Sequence, residues 1–420
     1  MKPVEATTPR PKRLSRVWAF VAVLGPGIIA ASAGNDSGGI STYSQAGAKY
    51  GYSMLWMMFL MTFSLVIIQE MAGRMGAVTG KGFAALIRER FGVRPTFLAM
   101  LMLLASNAAT TIAEFAGIAA AMQLFGVSRL ISVPVAAITV WLLVTRGSYR
   151  NVEKILLGLS AVFVAYIVSA FMAKPDWGVV ATSLVTPHVK LTPDFFALSI
   201  ALTGTTIAPW MQFFVQSNIV DKGTSIKEWG LAKWDVMVGA ASANVVAIFI
   251  IITTGTVLFP HGIVISDAGQ AAQALAPLAG RYASLLFAIG LLSASVLSAA
   301  VLPLTASYSI CEAFGWESGI DRTWAEAPVF NGLYTFVIFT AAAVILIPGL
   351  DLIRIMIFSQ VVNGSLLPFL LIFMMVIIND RRIMGEHVNG RIFNAAAWIT
   401  IVAAIALTAT LLVLTVLGVA

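Results

Sequence analysis

From Val17 onward the chain is a succession of apolar runs, and their length constrains the fold more than any motif does. A helix needs about 17–25 apolar residues to cross a bilayer core. About eleven such runs can be read, with cores near 17–48, 52–73, 97–125, 130–145, 153–173, 195–219, 236–259, 282–312, 329–348, 352–378 and 393–418. In lipid, every backbone N–H and C=O must be satisfied within the segment, so these runs predict helices. Of the 420 residues, 59% are hydrophobic and 11% charged, against about 25% charged in soluble domains. The chain reads as an all-α polytopic membrane protein. The polar stretch Met1–Arg16 has no signal-peptide pattern, because the apolar run after it is too long. Residues 1–13 are expected to form a disordered basic tail, and 14–420 a single transmembrane domain. Cys311 is the lone cysteine, which excludes an internal disulfide and a thiolate metal cluster.

The basic residues set an orientation. With the N-terminus in the cytoplasm and alternating spans, about 20 Lys and Arg fall inside, including Arg74, Lys81, Arg88, Lys222 and Arg381, against about 6 outside or at span ends. The net charge of +7 then reports basic cytoplasmic loops and not a nucleic-acid surface. An odd number of spans puts the C-terminus outside, in a plasma or inner membrane. Between Gly80 and Phe91, Phe83, Leu86, Ile87 and Phe91 interleave with Lys81, Arg88 and Arg90, a pattern for a short interfacial helix.

Two spans are interrupted. The first contains Gly34-Asn35-Asp36-Ser37-Gly38-Gly39. A carboxylate at a helix centre costs about 2.5–3.5 kcal/mol on insertion scales, and irregular backbone survives there only inside protein or along a wet cavity. The sixth contains Gly204-Thr205-Thr206-Ile207-Ala208-Pro209-Trp210, where Pro209 removes a helix donor. The breaks lie five spans apart, so the two segments run in opposite directions. That spacing predicts an inverted repeat of five plus five helices, with a site where the broken helices meet. Repeat one would run over about 17–173 and repeat two over about 195–378, with an extra helix at about 393–418.

The polar residues within the spans supply the candidate ligands. Asp36 is the strongest, with Asn35 beside it and free carbonyls expected at Thr205, Thr206 and Ala208. A carboxylate with carbonyls and amides is a hard oxygen set suited to Mg2+, Ca2+, Mn2+ or Na+. Gln360 and Asn363 are three apart in the tenth span and share a helix face; interhelical amide bonding is the bland alternative for them. Gln212 and Gln216 carry the same ambiguity. Glu114 has no basic residue near it in sequence, so a structural acid, a relay and a partner for a distant arginine all stay open. Glu70 and Arg74 form an i,i+4 pair that can be purely structural. His188, His261 and His387 map to loops, Arg150 and Glu153 read as interfacial anchors, and Met54–Met61 as lipid-facing or packing surface.

Leu24-Gly25-Pro26-Gly27 with the Asp36 break, Gln45-Ala46-Gly47-Ala48-Lys49-Tyr50-Gly51-Tyr52, Ile112-Ala113-Glu114-Phe115-Ala116-Gly117, Ser359-Gln360-Val361 and Ile383-Met384-Gly385 together resemble the NRAMP family of divalent-metal transporters, from about Gly25 to Asn389. The resemblance implies a LeuT-type fold and an aspartate ligand at Asp36. It also exposes departures. The family's Asp-Pro-Gly-Asn stands here as Asp36-Ser37-Gly38-Gly39, so the asparagine is lost at Gly39. Its Met-Pro-His stands as Ala208-Pro209-Trp210, its further histidine as Val215, and its third-helix aspartate as Thr111. Loss of the soft thioether at Ala208 should weaken preference for Mn2+ and Fe2+, and a roomier site suits Mg2+, which keeps several waters. Trp210, Val215 and Thr111 do not titrate near neutral pH, as a proton relay requires. The pattern resembles the divergent NRAMP-related magnesium transporters.

The sequence reading is therefore a transporter of divalent cations, Mg2+ ahead of Mn2+, working by alternating access without obligate proton coupling. Asp36, Asn35, Thr205, Ala208 and Gln360 are the expected metal ligands; Gly39, Trp210, Asn363, Glu114 and Thr111 are the expected outer shell or relay. The metal is cargo and no cofactor is expected; the partners are the ion and the lipid bilayer, with no nucleic acid and no obligate protein partner. The rivals are a proton-coupled Mn2+/Fe2+ importer using Glu114, and a carrier of a small organic solute such as an amino acid, whose carboxylate Asp36 would repel. A non-transporting sensor is disfavoured because no soluble partner domain accompanies the spans. No phosphate loop, hydrolase motif or cofactor fingerprint points to an enzyme.

Overall fold

The computed structural model describes residues 35–145, 165–320 and 322–416. The expected tail, the first half of the first span (17–34), and Arg150, Glu153 and the start of the fifth span lie outside the described residues. Within them the chain is helical: α1 (Ser37–Tyr50), α2 (Leu55–Thr79), α3 (Phe83–Phe91), α4 (Val93–Leu124), α5 (Arg129–Thr145), α6 (Ala165–Ala173), α7 (Trp177–Val185), α8 (Pro193–Thr206), α9 (Pro209–Asp221), α10 (Trp229–Val257), α11 (Ala283–Phe314), α12 (Pro328–Ile345), α13 (Leu352–Ile378) and α14 (Arg391–Val416). Short helical turns fill Ala268–Ala272, Ala276–Ala279 and Arg381–Met384. Among the described residues, eight helical stretches are long and apolar enough to cross a membrane, with α5 a shorter apolar helix. Leu60, Phe63, Phe97, Leu130, Ile131, Phe336, Phe358 and Val402 are exposed on the outer faces, as side chains facing lipid tails would be.

The predicted spans match their helices to within a few residues at most ends, with α10 starting seven residues before the expected 236. The helix expected near 80–91 appears as α3, but Phe83, Leu86 and Ile87 are buried against the bundle and do not form a face open to lipid. The helix α7 was not anticipated; Asp176 starts it by accepting the N–H groups of Gly178 and Val179.

Among the described residues α1 packs against α10, α13, α8, α4 and α11, while α4 in turn packs along α11 and α13. Small residues set these distances. A Cβ on Gly204 of α8 would stand 2.1 Å from the Gln360 carbonyl oxygen and 2.2 Å from the Gly364 nitrogen of α13, and a Cβ on Gly364 would stand 2.2 Å from the Ile200 carbonyl oxygen. The two backbones touch through paired glycines, as small residues allow in membrane bundles. This corrects one expectation. Gly204 lies inside α8 and serves this close approach; it does not loosen the break, which falls at Ile207–Ala208.

Candidate functional site

Asp36 is where α1 begins. Its backbone is extended (φ −70°, ψ 176°), and its Oδ1 accepts the Gly39 N–H at 2.6 Å, which makes it the N-cap. The expected break is therefore narrower than the hexad: Ser37, Gly38 and Gly39 are already helical. The glycines serve approach. A Cβ on Gly38 would lie 2.0 Å from Gln360 Nε2, and its absence lets that amide donate to Asp36 Oδ1 at 3.4 Å. Gly39 contributes through its N–H, not as a ligand.

Glu114 reaches the same helix end. Ser37 donates its N–H to Glu114 Oε2 at 3.2 Å and its hydroxyl to the Ala113 carbonyl at 2.9 Å. Two buried carboxylates thus sit at the positive end of α1, where the helix dipole favours them. Among the described residues no arginine pairs with either acid. Glu114 Oε1 is buried with no hydrogen-bond partner.

Behind Gln360 runs a polar relay. Asn363 donates to Gln360 Oε1 at 2.9 Å and to Thr110 Oγ1 at 2.9 Å, and its Oδ1 accepts from Ser106 at 2.6 Å. All of these residues are buried. The relay ties α13 to α4 and turns the Gln360 nitrogen toward Asp36, so its oxygen faces Asn363. Thr111 stays outside it: its hydroxyl donates back to the Asn107 carbonyl at 2.7 Å.

The second break faces the first. Ile207 and Ala208 are non-helical, and Pro209 opens α9 at its first position. Proline has no N–H, so the Thr205 carbonyl loses its i+4 donor; the Thr205 hydroxyl is also buried without a partner. The Ala208 carbonyl is less free than expected: it accepts the Met211 N–H at 3.1 Å. With its amide nitrogen turned inward, Gln212 donates to the same carbonyl at 2.9 Å. Tyr43 joins the two halves, its hydroxyl 3.3 Å from Thr206 Oγ1 and within range of the Asp36 charge. Trp210 is buried with its indole N–H unpartnered and its ring against Phe214. Gln216 holds the Lys81 carbonyl at 2.9 Å, away from both breaks.

Structure thus groups Asp36, Gln360, Asn363 and Glu114 around one helix end, with buried Asn35 beside them and Thr205 across the gap. Sequence reading missed Tyr43, Ser37, Ser106, Thr110 and Met58. A signal existed for Tyr43, a polar ring seven residues after Asp36 and so on the same face. Of the two readings of Met54–Met61, Met58 takes the packing one: it is buried, with Sδ 3.8 Å from Thr206 Oγ1. Among the described residues no group of three His, Cys, Asp or Glu could hold a metal, so any ion here would depend on fewer than three such side chains, together with amides and main-chain oxygens.

A family model described as natural resistance-associated macrophage protein-like matches residues 27–414. Among solved structures, a manganese transporter from Eremococcus coleocola superposes with a TM-score of 0.75 at 22% identity, over 97% of this chain and 89% of that one. MhsT, solved with L-phenylalanine, gives 0.59 at 16% identity over 96% and 99%. Mhp1, a nucleobase-cation-symport-1 family transporter, gives 0.54 at 12% identity over 93% and 92%. These similarities give the chain the LeuT-type fold that the two breaks predicted.

Proposed function

Because this chain belongs to the Nramp family, we propose that the divalent cation it carries across the membrane is Mg2+, with Mn2+ as a competitor, and that it moves without obligate proton exchange. The observation that carries this reading is the donor set: the Asp36 carboxylate faces a break whose residue 208 is alanine, so that position offers no thioether. Hard oxygen donors suit a hard and partly hydrated ion. Asp36 supplies the charge, the Thr205 carbonyl a further oxygen, and Gln360 holds the carboxylate from behind as an N–H donor. Glu114 binds the main chain of α1, which supports a structural acid over a relay. The membrane potential alone drives a dication inward by about 4.6 kcal/mol per 100 mV.

The binding test is calorimetric titration of Mg2+, Mn2+ and Ca2+ into the purified protein. Saturable Mg2+ binding is expected; an absence of binding by all three ions would sink the cation reading and favour an organic solute. Ala208→Met should then shift preference toward Mn2+ by about tenfold, since it restores a soft donor. An unchanged Mn2+/Mg2+ ratio would mean that residue 208 does not set selectivity.

One observation favours the softer, proton-coupled alternative: the Met58 thioether lies beside Thr206. The two readings part in liposomes. Mg2+ or Mn2+ uptake is expected to leave an enclosed pH dye unchanged, whereas acidification in step with metal entry would establish coupling.

A further inference from the structure

A cavity of about 420 Å3 opens where the end of α9, the end of α11 and the start of α3 converge. Its wall includes Asn218, Asp221, Ser309, Glu312 and Gly82. Asp221 is the last residue of α9, and Glu312 lies in the last turn of α11, which ends at Phe314. Both carboxylates therefore sit at negative helix ends, where the macrodipole disfavours an anion and favours a cation. Neither forms a salt bridge among the described residues. Lys222 follows Asp221 directly, yet the carboxylate it feels is that of Asp235, which works against the desolvation that lowers the lysine's pKa. Glu312, in turn, feels the charge of Asp221. One favourable contact offsets this: Glu312 accepts the Gly82 N–H at 2.8 Å, in a space that a Cβ at residue 82 would fill.

An independent feature points into the same space. Ser309 is 2% exposed, lines the cavity, and its hydroxyl makes no hydrogen bond among the described residues. The oxygen is not sealed off, so it stays open to whatever fills the cavity. The volume also fits a hydrated ion, since six waters at about 30 Å3 each need roughly 180 Å3. Phe214 forms part of the wall and packs on Trp210 at 5.7 Å between ring centroids, so one aromatic pair separates this cavity from the break in the sixth span.

We propose that this cavity is a second divalent-cation station, binding a hydrated ion through Asp221, Glu312 and Ser309 at the lysine- and arginine-rich end of the bundle. It rests on the transport reading above in one respect: a station beside the broken helix serves an ion entering or leaving the Asp36 site. On the positive-inside orientation this end is cytoplasmic, and the station would hold the ion on release.

The test is a Mn2+ titration of the full chain in detergent, with bound ion counted from the loss of the free Mn2+ paramagnetic resonance signal. Wild type is expected to show two affinity classes, about two ions in total, with the weaker class in the range typical of partly hydrated surface sites. Asp36→Asn should remove the tighter class alone. Asp221→Asn should remove the weaker class alone; this residue is exposed and caps nothing, so folding is not at stake. Glu312→Gln should match it, because the glutamine oxygen can still accept the Gly82 N–H. A wild-type titration with a single class that Asp36→Asn abolishes would overturn the second station. So would an Asp221→Asn titration that superimposes on wild type. If Asp36→Asn instead leaves both classes intact, the Asp36 reading falls while the loss seen in Asp221→Asn still supports the station.

Discussion

Asp36→Asn is expected to lower divalent-cation affinity by at least about 100-fold, equivalent to roughly 2.7 kcal/mol, while leaving the fold intact. The substitution separates two roles that one side chain holds. As N-cap of α1, Asp36 accepts the Gly39 N–H, and asparagine caps a helix about as well. As a charge, it faces an ion with twice the unit charge, and at 4 Å and an effective dielectric near 20 the gross attraction is about 8 kcal/mol. Desolvation of both partners removes much of that, which is why the expected loss is set well below it. Calorimetric Mg2+ titration and liposome uptake measure the effect. If Asp36 only terminated a helix, Asp36→Asn would transport like wild type, and Asp36→Ala would cost about 1 kcal/mol of stability with little change in binding.

Gly204→Ala is expected to be the most disruptive single-methyl change in the described bundle, costing about 3 kcal/mol or more of stability. The added Cβ would meet the Gln360 carbonyl oxygen at 2.1 Å and the Gly364 nitrogen at 2.2 Å. Both are backbone atoms, so no rotamer change relieves the overlap and the helices must separate. Separation would carry Gln360 away from Asp36 and so weaken ion binding as well. A thermal-unfolding midpoint in detergent reads the first effect and Mg2+ titration the second. Gly230→Ala is the control: nothing lies within 4 Å of its Cβ position, and a helical alanine in place of glycine is worth about 0.5–1 kcal/mol in the stabilising direction. Equal midpoints for the two variants would show that α8 and α13 do not meet as closely as described.

Part of this site was legible without coordinates. A carboxylate inside an apolar run and a proline inside another are costly in lipid wherever the helices end up, so Asp36 and Pro209 stood out from local chemistry alone. The pairing of Gln360 with Asn363 followed from helical spacing. What local chemistry left open was direction. Gln360 was expected to offer a ligand, and the relay through Asn363 turns its nitrogen inward instead. Ala208 was expected to offer a free carbonyl, which the Met211 N–H takes up. Thr111 was grouped with the outer shell and bonds back into its own helix. Glu114 could have served three roles, and the one that appears, accepting the Ser37 N–H, needs a residue at position 37 that has an N–H to give.

The sequence by itself determined the membrane class, the two interruptions and the single charge placed in the first, because run length, proline and an intramembrane carboxylate act through costs that no packing arrangement removes. Tertiary structure alone decided which atoms meet that charge. Gln360 lies 324 residues from Asp36 and Glu114 lies 77 from Ser37. Whether such residues touch depends on how far each helix is rotated about its axis and how closely its neighbours approach. Those quantities are set by glycines such as Gly38, Gly204 and Gly364 pressing backbone to side chain or backbone to backbone, and a glycine's role as a contact is invisible until its partner is in place.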